Sequence, residues 1–421
     1  MAAVDPPGAP SASAPRFVGA RRDRYLIYVS AVLRAAAISM LSVFVGIYLT
    51  ELRFSARDAG LVVSLGLAGS GLATAFVTFR ADRLGRRRVL IALSLLAAAG
   101  GLAMALARSF AAVAAAAFVG MLNGMGKDRG GAVVLEQAIL PATVPDEQRT
   151  KAYAWYHALE NTGSAAGALM AGLPTLMVRF LSVSEAASYR LAIVLYAALI
   201  FLSAFCYAAM SHGVELYHPQ EKEKAKVRIG PETRRIVLKL SSLFALDSLG
   251  GGFIVTALLS YYFFARFHVD LAFLALLFCA ARAAQVLSNF AAAWLASKIG
   301  LVNTMVFTHI PSNLLLIAVV FAPNFPVAAL LYLCRAVLSS MDVPTRQSYV
   351  MSLVKPEERT FASGATHLVR MSSWAVAPYI AGAMMEGVSL GSPLFAAAGL
   401  KIAYDLLLFA SFRDVKPPEE A

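Results

Sequence analysis

Charge is scarce in this chain, and its scarcity excludes more than any motif does. Asp, Glu, Lys and Arg make up 15% of the 421 residues, where a soluble domain carries about 25%. An ordinary globular enzyme is therefore ruled out. There are three cysteines, Cys206, Cys279 and Cys334, all inside apolar stretches and none in a CxxC pair, so neither a disulfide framework nor a thiolate metal site is expected. They read as buried thiols. No P-loop and no HExxH sequence occurs, which argues against ATP-driven transport and against a membrane enzyme built on that zinc motif. No metal and no cofactor is expected. The net charge of +12 does not point to nucleic acid either, because no polar segment is long enough to form a soluble nucleic-acid-binding domain.

What the chain has instead is apolar sequence: 59% of its residues, with a mean hydropathy of +0.67. These residues fall into blocks of roughly 20, the helical length needed to cross about 30 Å of hydrocarbon. Spans are predicted at 25–49, 58–79, 89–107, 111–140, 151–178, 188–210, 236–264, 270–296, 301–321, 326–353, 359–386 and 390–412. The expected organisation is a disordered Pro- and Ala-rich tail over 1–20, a six-helix bundle over 21–210, a linker over 211–235, a second six-helix bundle over 236–413 and a tail over 414–421. The tail ahead of Arg21 has no apolar core and does not read as a signal peptide. Of the 37 Lys and Arg residues, 23 lie in tails, loops and span ends on the side of the N-terminus, and only 6 on the other. The positive-inside rule puts both termini in the cytoplasm of a multi-pass protein, expected in the cell membrane.

The two halves repeat each other. Arg53-Phe54 matches Arg266-Phe267 at an offset of 213, Leu84-Gly85 matches Ile299-Gly300 at 215, and the run from Val144 to Thr150 matches that from Val354 to Thr360 at 210. Each half has an even number of spans, so both enter the membrane from the same face and form a parallel pair about an axis along its normal. Two such bundles enclose a central path.

The loop between spans 2 and 3 reads Arg80-Ala81-Asp82-Arg83-Leu84-Gly85-Arg86-Arg87-Arg88. It resembles the signature of the major facilitator superfamily from that motif's fourth position on, with Thr78 and Arg80 replacing its first Gly and its Leu. The resemblance extends over residues 20–413. It implies an all-α membrane protein with twelve transmembrane helices in two pseudo-symmetric six-helix bundles, a secondary transporter working by alternating access, and a cytoplasmic gate at Asp82, Arg83, Gly85 and Arg86. Independently of that likeness, Gly85 suits a tight turn and Arg86 to Arg88 suit an anionic leaflet. Span 5 meets the family's antiporter pattern only in part, at Gly163, Gly167, Ala168, Ala171 and Gly172. Small residues at that spacing also simply let helices pack closely.

Ionisable residues within spans are costly toward lipid, about 2.5–3.5 kcal/mol each, and mark paths and pairs. Applying the repeat offsets sets Arg34 of span 1 against Asp247 of span 7, Glu136 of span 4 against Arg346 of span 10, and Glu160 of span 5 against Arg370 of span 11. Pseudo-symmetry sets such equivalents opposite each other across the axis, within reach of pairing directly or through water, while Lys401 and Asp405 form an i, i+4 pair in span 12. Arg34, Arg129, Arg335, Asp342, Arg346 and Arg370 are the candidate substrate-binding residues. Glu136, Glu160 and Asp247 are the candidate proton-coupling residues, since an acid moving between an Arg and an apolar wall changes its proton affinity. Bases outnumber acids among these charges, which favours an anionic or zwitterionic solute, and the apolar lining admits a lipophilic one. The reading is a monomeric, proton-coupled transporter of a small organic solute, with export ahead of import. Facilitated uptake of an anionic metabolite and a non-transporting sensor are the alternatives.

Overall fold

The structure is a computed structural model that describes residues 19–216, 230–341, 346 and 358–412. Asp342, most of the expected linker, nearly all of the N-terminal tail and residues 413–421 lie outside the described residues, as does the side chain of Asn289. Among the described residues the regular structure is helical, in the order α1 (Ala20–Glu51), α2 (Ala56–Leu84), α3 (Arg86–Leu106), α4 (Phe110–Val119), α5 (Gly131–Ile139), α6 (Arg149–Met170), α7 (Leu173–Leu181), α8 (Glu185–Ala208), α9 (Gly213–Leu216), α10 (Pro231–Phe253), α11 (Thr256–Phe267), α12 (Leu271–Ile299), α13 (Leu301–Val320), α14 (Phe325–Ser339), α15 (Arg359–Gly387) and α16 (Ser392–Phe412). Local sequence sets several starts. Ser55 and Asp58 close a reciprocal capping box on α2, Asp270 caps α12 and Asn324 caps α14, each satisfying amide groups that a helix end leaves free.

Eight segments are long and apolar enough to cross a membrane, counting α6 with α7 and α10 with α11 as continuous crossings. Shorter apolar helices at α4, at α5, in the first part of α12 and at α14 occupy the places expected of spans 4, 8 and 10. Side chains such as Phe79, Phe180, Phe205, Trp294 and Phe321 stand exposed around the outside, as a lipid-facing belt requires. Helix α1 is the opposite case: every residue from Arg34 to Leu49 is buried, so it is apolar on all sides because it is surrounded by protein.

Span 4 departs from the single helix expected over 111–140. It stops at Val119 and restarts at Gly131, with Met121 at φ 53° and Gly126 at φ 81° between. Asn123 organises the break: its side-chain oxygen accepts from Met125 N at 2.8 Å and its amide donates to Lys127 O at 2.7 Å. Backbone freed at membrane depth must find partners in protein. Here they come from the second half: Ala257 N donates to Gly124 O at 3.0 Å, Thr256 Oγ1 to Met125 O at 2.9 Å and Arg282 Nη2 to Gly126 O at 2.7 Å.

The halves meet along α2 with α15, α6 with α12 and α1 with α11. On the side of the turn at 52–55 the contact is tight. A Cβ on Gly60 would lie 2.3 Å from Pro378 O, and one on Gly382 would lie 2.3 Å from Ala56 O. Nearby, Arg57 donates to Tyr379 Oη at 2.7 Å, Tyr379 N donates to Ser64 Oγ at 2.9 Å, and Thr175 donates to Asp270. This side of the molecule is closed.

Candidate functional site

Two clusters of membrane-embedded charge occupy the interior, one per half. In the first, Arg34 of α1 holds Glu136 of α5 through two hydrogen bonds of 2.6 and 2.8 Å, and its Nε donates to Asp128 at 2.9 Å. Tyr207 and Tyr156 each donate to the same Glu136 carboxylate at 2.7 Å, and Arg34 also contacts the Tyr207 hydroxyl. Arg34, Asp128 and Glu136 are all buried. A bidentate pair with every oxygen satisfied is a fixed structural unit.

In the second cluster Asp247 of α10 accepts from Arg346 at 3.1 Å and from Lys401 of α16 at 2.6 Å. This group opens on a cavity of about 190 Å³ at the junction of the halves. Lys127 and Arg129 line it from the first half, and Arg282, Arg335, Arg346, Arg370 and Lys401 from the second, with Asp247 the one acid among the described lining residues. Trp374, Tyr332 and Phe278 supply aromatic surface. The Arg129 guanidinium lies 4.4 Å from the Trp374 ring and that of Arg370 4.8 Å from it, so a single indole stacks with a cation from each half.

Three of these cations have no carboxylate partner among the described residues. Arg335 is buried, and among the described residues its Nε has no hydrogen-bond partner and the Tyr332 ring, 5.8 Å away, is its one cation–π neighbour. Arg282 donates only to Gly126 O at 2.7 Å and Thr256 Oγ1 at 3.5 Å. Arg129 stacks on the Trp374 ring and forms no ion pair among the described residues, with Glu160 and Asp247 acting on it only at longer range. Unpaired charge removed from water is unfavourable. The described lining of the cavity therefore carries a surplus of positive charge.

The repeat partners make no direct contact with each other among the described residues. Arg34 pairs with Glu136 and Asp128, Asp247 with Arg346 and Lys401, Glu160 with His157 at 3.2 Å, and Arg370 with Ser248 at 3.1 Å, each within its own half. The reason is distance: adjacent helices of one bundle bring side chains together that the central cavity holds apart. Lys401 and Asp405 also separate, Lys401 reaching Asp247 while Asp405 takes His309 of α13 at 2.8 Å. Asp128 is neutralised by Arg34 and not by its neighbours Lys127 and Arg129.

Of the candidate substrate-binding residues, then, Arg129, Arg335, Arg346 and Arg370 share the cavity, Arg34 sits in the first-half cluster on a separate cavity of about 60 Å³, and Asp342 lies outside the described residues. Among the candidate acids only Asp247 lines the cavity. Arg282 and Lys401 were readable as charges in spans, but the repeat offsets gave them no equivalents. His309 and Trp374 carry no sequence signal of their own. In the loop at 80–88, Asp82 is exposed and accepts from Arg86 Nε at 2.7 Å. Arg86 N and Arg87 N donate to Glu215 at 2.7 and 3.0 Å, and Arg87 Nε donates to Tyr207 O at 3.2 Å. Arg86 and Arg87 thus hold protein groups, leaving Arg83 and Arg88 exposed. Gly85 has φ 96°, and a Cβ there would lie 3.0 Å from the Glu215 carboxylate.

A family model described as Major Facilitator Superfamily matches residues 27–378 and 240–421. An uncharacterised membrane protein of Saccharomyces cerevisiae is 25% identical over 434 residues, spanning 95% of this chain and 96% of the relative. Among solved structures, the nucleoside transporter NupG aligns with a TM-score of 0.75 at 13% identity, covering 93% of this chain and 100% of that one. A bacterial homologue of the human lysosomal transporter Spinster, in an inward-facing and occupied conformation, aligns with a TM-score of 0.74 at 15% identity over 93% and 97%. At such identities these likenesses establish the shared fold.

Proposed function

The chain belongs to the Major Facilitator Superfamily, and from that premise we propose that the solute it moves is a small organic anion, carried by alternating access and coupled to protons. Family and fold indicate a transporter and not an enzyme. The observation that carries the anion reading is the charge of the cavity: among the described lining residues seven Lys and Arg face one acid, and three of the seven have no carboxylate partner among the described residues. An anion entering it gains the pairing that the protein withholds, in surroundings where charge is weakly screened. Asp247 supports the coupling, because an anion that settles on Arg346 or Lys401 competes with it for the same donors.

The Lys and Arg distribution supports cytoplasmic termini. With that topology the closed side is the outer one, and the arrangement is inward-facing. Rocking of the halves then opens α2 from α15 and exposes the same cavity to the other face.

The test is a thermal-shift panel on the purified chain with sulfate, mono- and dicarboxylates, phosphate esters, neutral sugars and organic cations, followed by counterflow of each stabilising solute in proteoliposomes. Anions should stabilise and exchange. Stabilisation by cations or neutral solutes alone would sink the reading, and binding without exchange would make the chain a sensor.

A further inference from the structure

Behind the cavity stands a pair of titratable groups that no repeat relation predicts. His309 of α13 and Asp405 of α16 are both buried, with Nδ1 of the imidazole 2.8 and 3.1 Å from the two carboxylate oxygens. Asn313 Nδ2 reaches the same carboxylate at 3.5 Å, and the Tyr404 ring packs edge-on against the imidazole at 6.2 Å. A carboxylate on Nδ1 fixes the neutral tautomer with its hydrogen there, leaving Nε2 as the acceptor. Nε2 has no hydrogen-bond partner among the described residues, and His309 lines the cavity. The dyad is thus an imidazole on the cavity wall backed by a carboxylate.

Its electrostatic surroundings depend on whether the cavity is filled. Arg335 on α14, Arg282 on α12 and Lys401 on α16 are positive, Asp247 on α10 is shared between Lys401 and Arg346, and Asp405 is the dyad's own counter-charge. A bound anion places negative charge beside these cations and beside the imidazole, which favours a proton on the ring. The other acids do not have this exposure to the solute: Glu136 is sealed by Arg34, Tyr156 and Tyr207, and Glu160 pairs with His157 away from the cavity.

We propose that His309, backed by Asp405, takes up one proton at Nε2 when an anion occupies the cavity, so that anion and proton are bound together. The proposal rests on the anion reading above and names its proton site. By reciprocity, if the anion raises the proton affinity of His309, protonation raises the affinity for the anion equally. Anion affinity should then strengthen as pH falls, by up to about tenfold per pH unit over the range in which one proton is taken up with the anion.

Inorganic sulfate is a suitable probe because it keeps both charges between about pH 5 and 8, where histidine titrates. Calorimetric titration of the full chain in buffers of different ionisation enthalpy should show close to one proton taken up per sulfate bound. His309→Gln keeps a donor toward Asp405 but cannot titrate, and should bind sulfate with no proton uptake and no dependence on pH. Asp405→Asn should move the dependence to lower pH. Histidine-selective nitrogen NMR on the unaltered chain, with His309→Gln identifying the signal, should show Nε2 titrating at higher pH with sulfate than without it. Sulfate binding with no proton uptake, or with uptake that survives His309→Gln, overturns the proton site and leaves the anion reading standing. Failure of sulfate and of every other anion in the panel to bind overturns both.

Discussion

Asp247 stands where Arg34 stands one repeat earlier, 213 residues back in the chain, and each is bound to a partner of the sign the other carries. Arg34 holds Glu136 and Asp247 holds Arg346, and Glu136 and Arg346 are themselves repeat equivalents at an offset of 210. One contact has been kept in both halves with its charges exchanged. The surroundings have diverged around it. In the first half two tyrosines and Asp128 complete the group and only a cavity of about 60 Å³ adjoins Arg34 and Asp128, whereas in the second the pair opens on the larger cavity and takes Lys401 as a third member. The same pair is therefore a structural unit in one bundle and part of the candidate binding site in the other.

Neutralising the acid in each pair separates these roles. Glu136→Gln leaves Arg34 with Asp128 as its remaining carboxylate, and removing one partner of a buried pair costs about 3–5 kcal/mol. The thermal midpoint should fall substantially while sulfate affinity in the surviving fold stays within a few-fold of the parent. Asp247→Asn should do the reverse. It frees Arg346 and Lys401 for the solute, so sulfate should bind more tightly and counterflow should slow, because the competitor that helps release the anion is gone. Equal effects of the two substitutions on affinity would contradict the division of roles.

Arg335 provides a second contrast, between stability and binding. Its guanidinium is buried without a carboxylate and with Nε unpartnered among the described residues, so it strains the empty protein. Replacing an uncompensated buried charge by a group of similar volume is neutral or stabilising. Arg335→Gln should keep or raise the thermal midpoint without ligand and weaken sulfate binding at least about tenfold, the loss of one charge-assisted contact worth about 1.5–3 kcal/mol. A lower midpoint with unchanged affinity would assign Arg335 to packing.

The fold was legible because it rests on quantities that sequence carries directly: the length of apolar blocks, the repeat offsets and the asymmetry of Lys and Arg. The pairing of charges was not. Offsets identify Arg34 and Asp247 as equivalents, but equivalence puts them in the same place in two bundles, whereas contact requires adjacent helices of one bundle. The interruption of span 4 had a signal in Gly120, Gly124, Gly126 and Gly130 around Asn123, masked by the apolar sequence on both sides. His309 had none, since a lone histidine in α13 acquires meaning only when α16 brings Asp405 within 2.8 Å.

Trp374 joins the halves at the cavity, with Arg129 of the first stacked 4.4 Å from an indole of the second. Trp374→Phe keeps a ring for both cations and Trp374→Ala removes it. A buried cation–π contact is worth about 2 kcal/mol. Trp374→Ala should therefore weaken the closed arrangement and slow sulfate counterflow strongly, and Trp374→Phe should recover most of the rate. Equal losses in the two variants would show that the indole N–H or bulk matters and the stacking does not.

The closure between α2 and α15 depends on two glycines that each meet backbone of the opposite helix: a Cβ on Gly60 would be 2.3 Å from Pro378 O, and one on Gly382 would be 2.3 Å from Ala56 O. Backbone cannot swing aside as a flexible side chain can, so a larger residue at either position must push the helices apart. Gly382→Leu should then shift the population away from the arrangement described here and toward the one open on the 52–55 side. Spin labels at positions 53 and 266, in a background lacking Cys206, Cys279 and Cys334, should report a longer distance in Gly382→Leu than in the parent. Because the substitution touches no cavity residue, sulfate should still bind, while counterflow falls as return to the closed state becomes limiting. An unchanged label distance with normal counterflow would mean that the halves separate elsewhere and that α2 and α15 move as one.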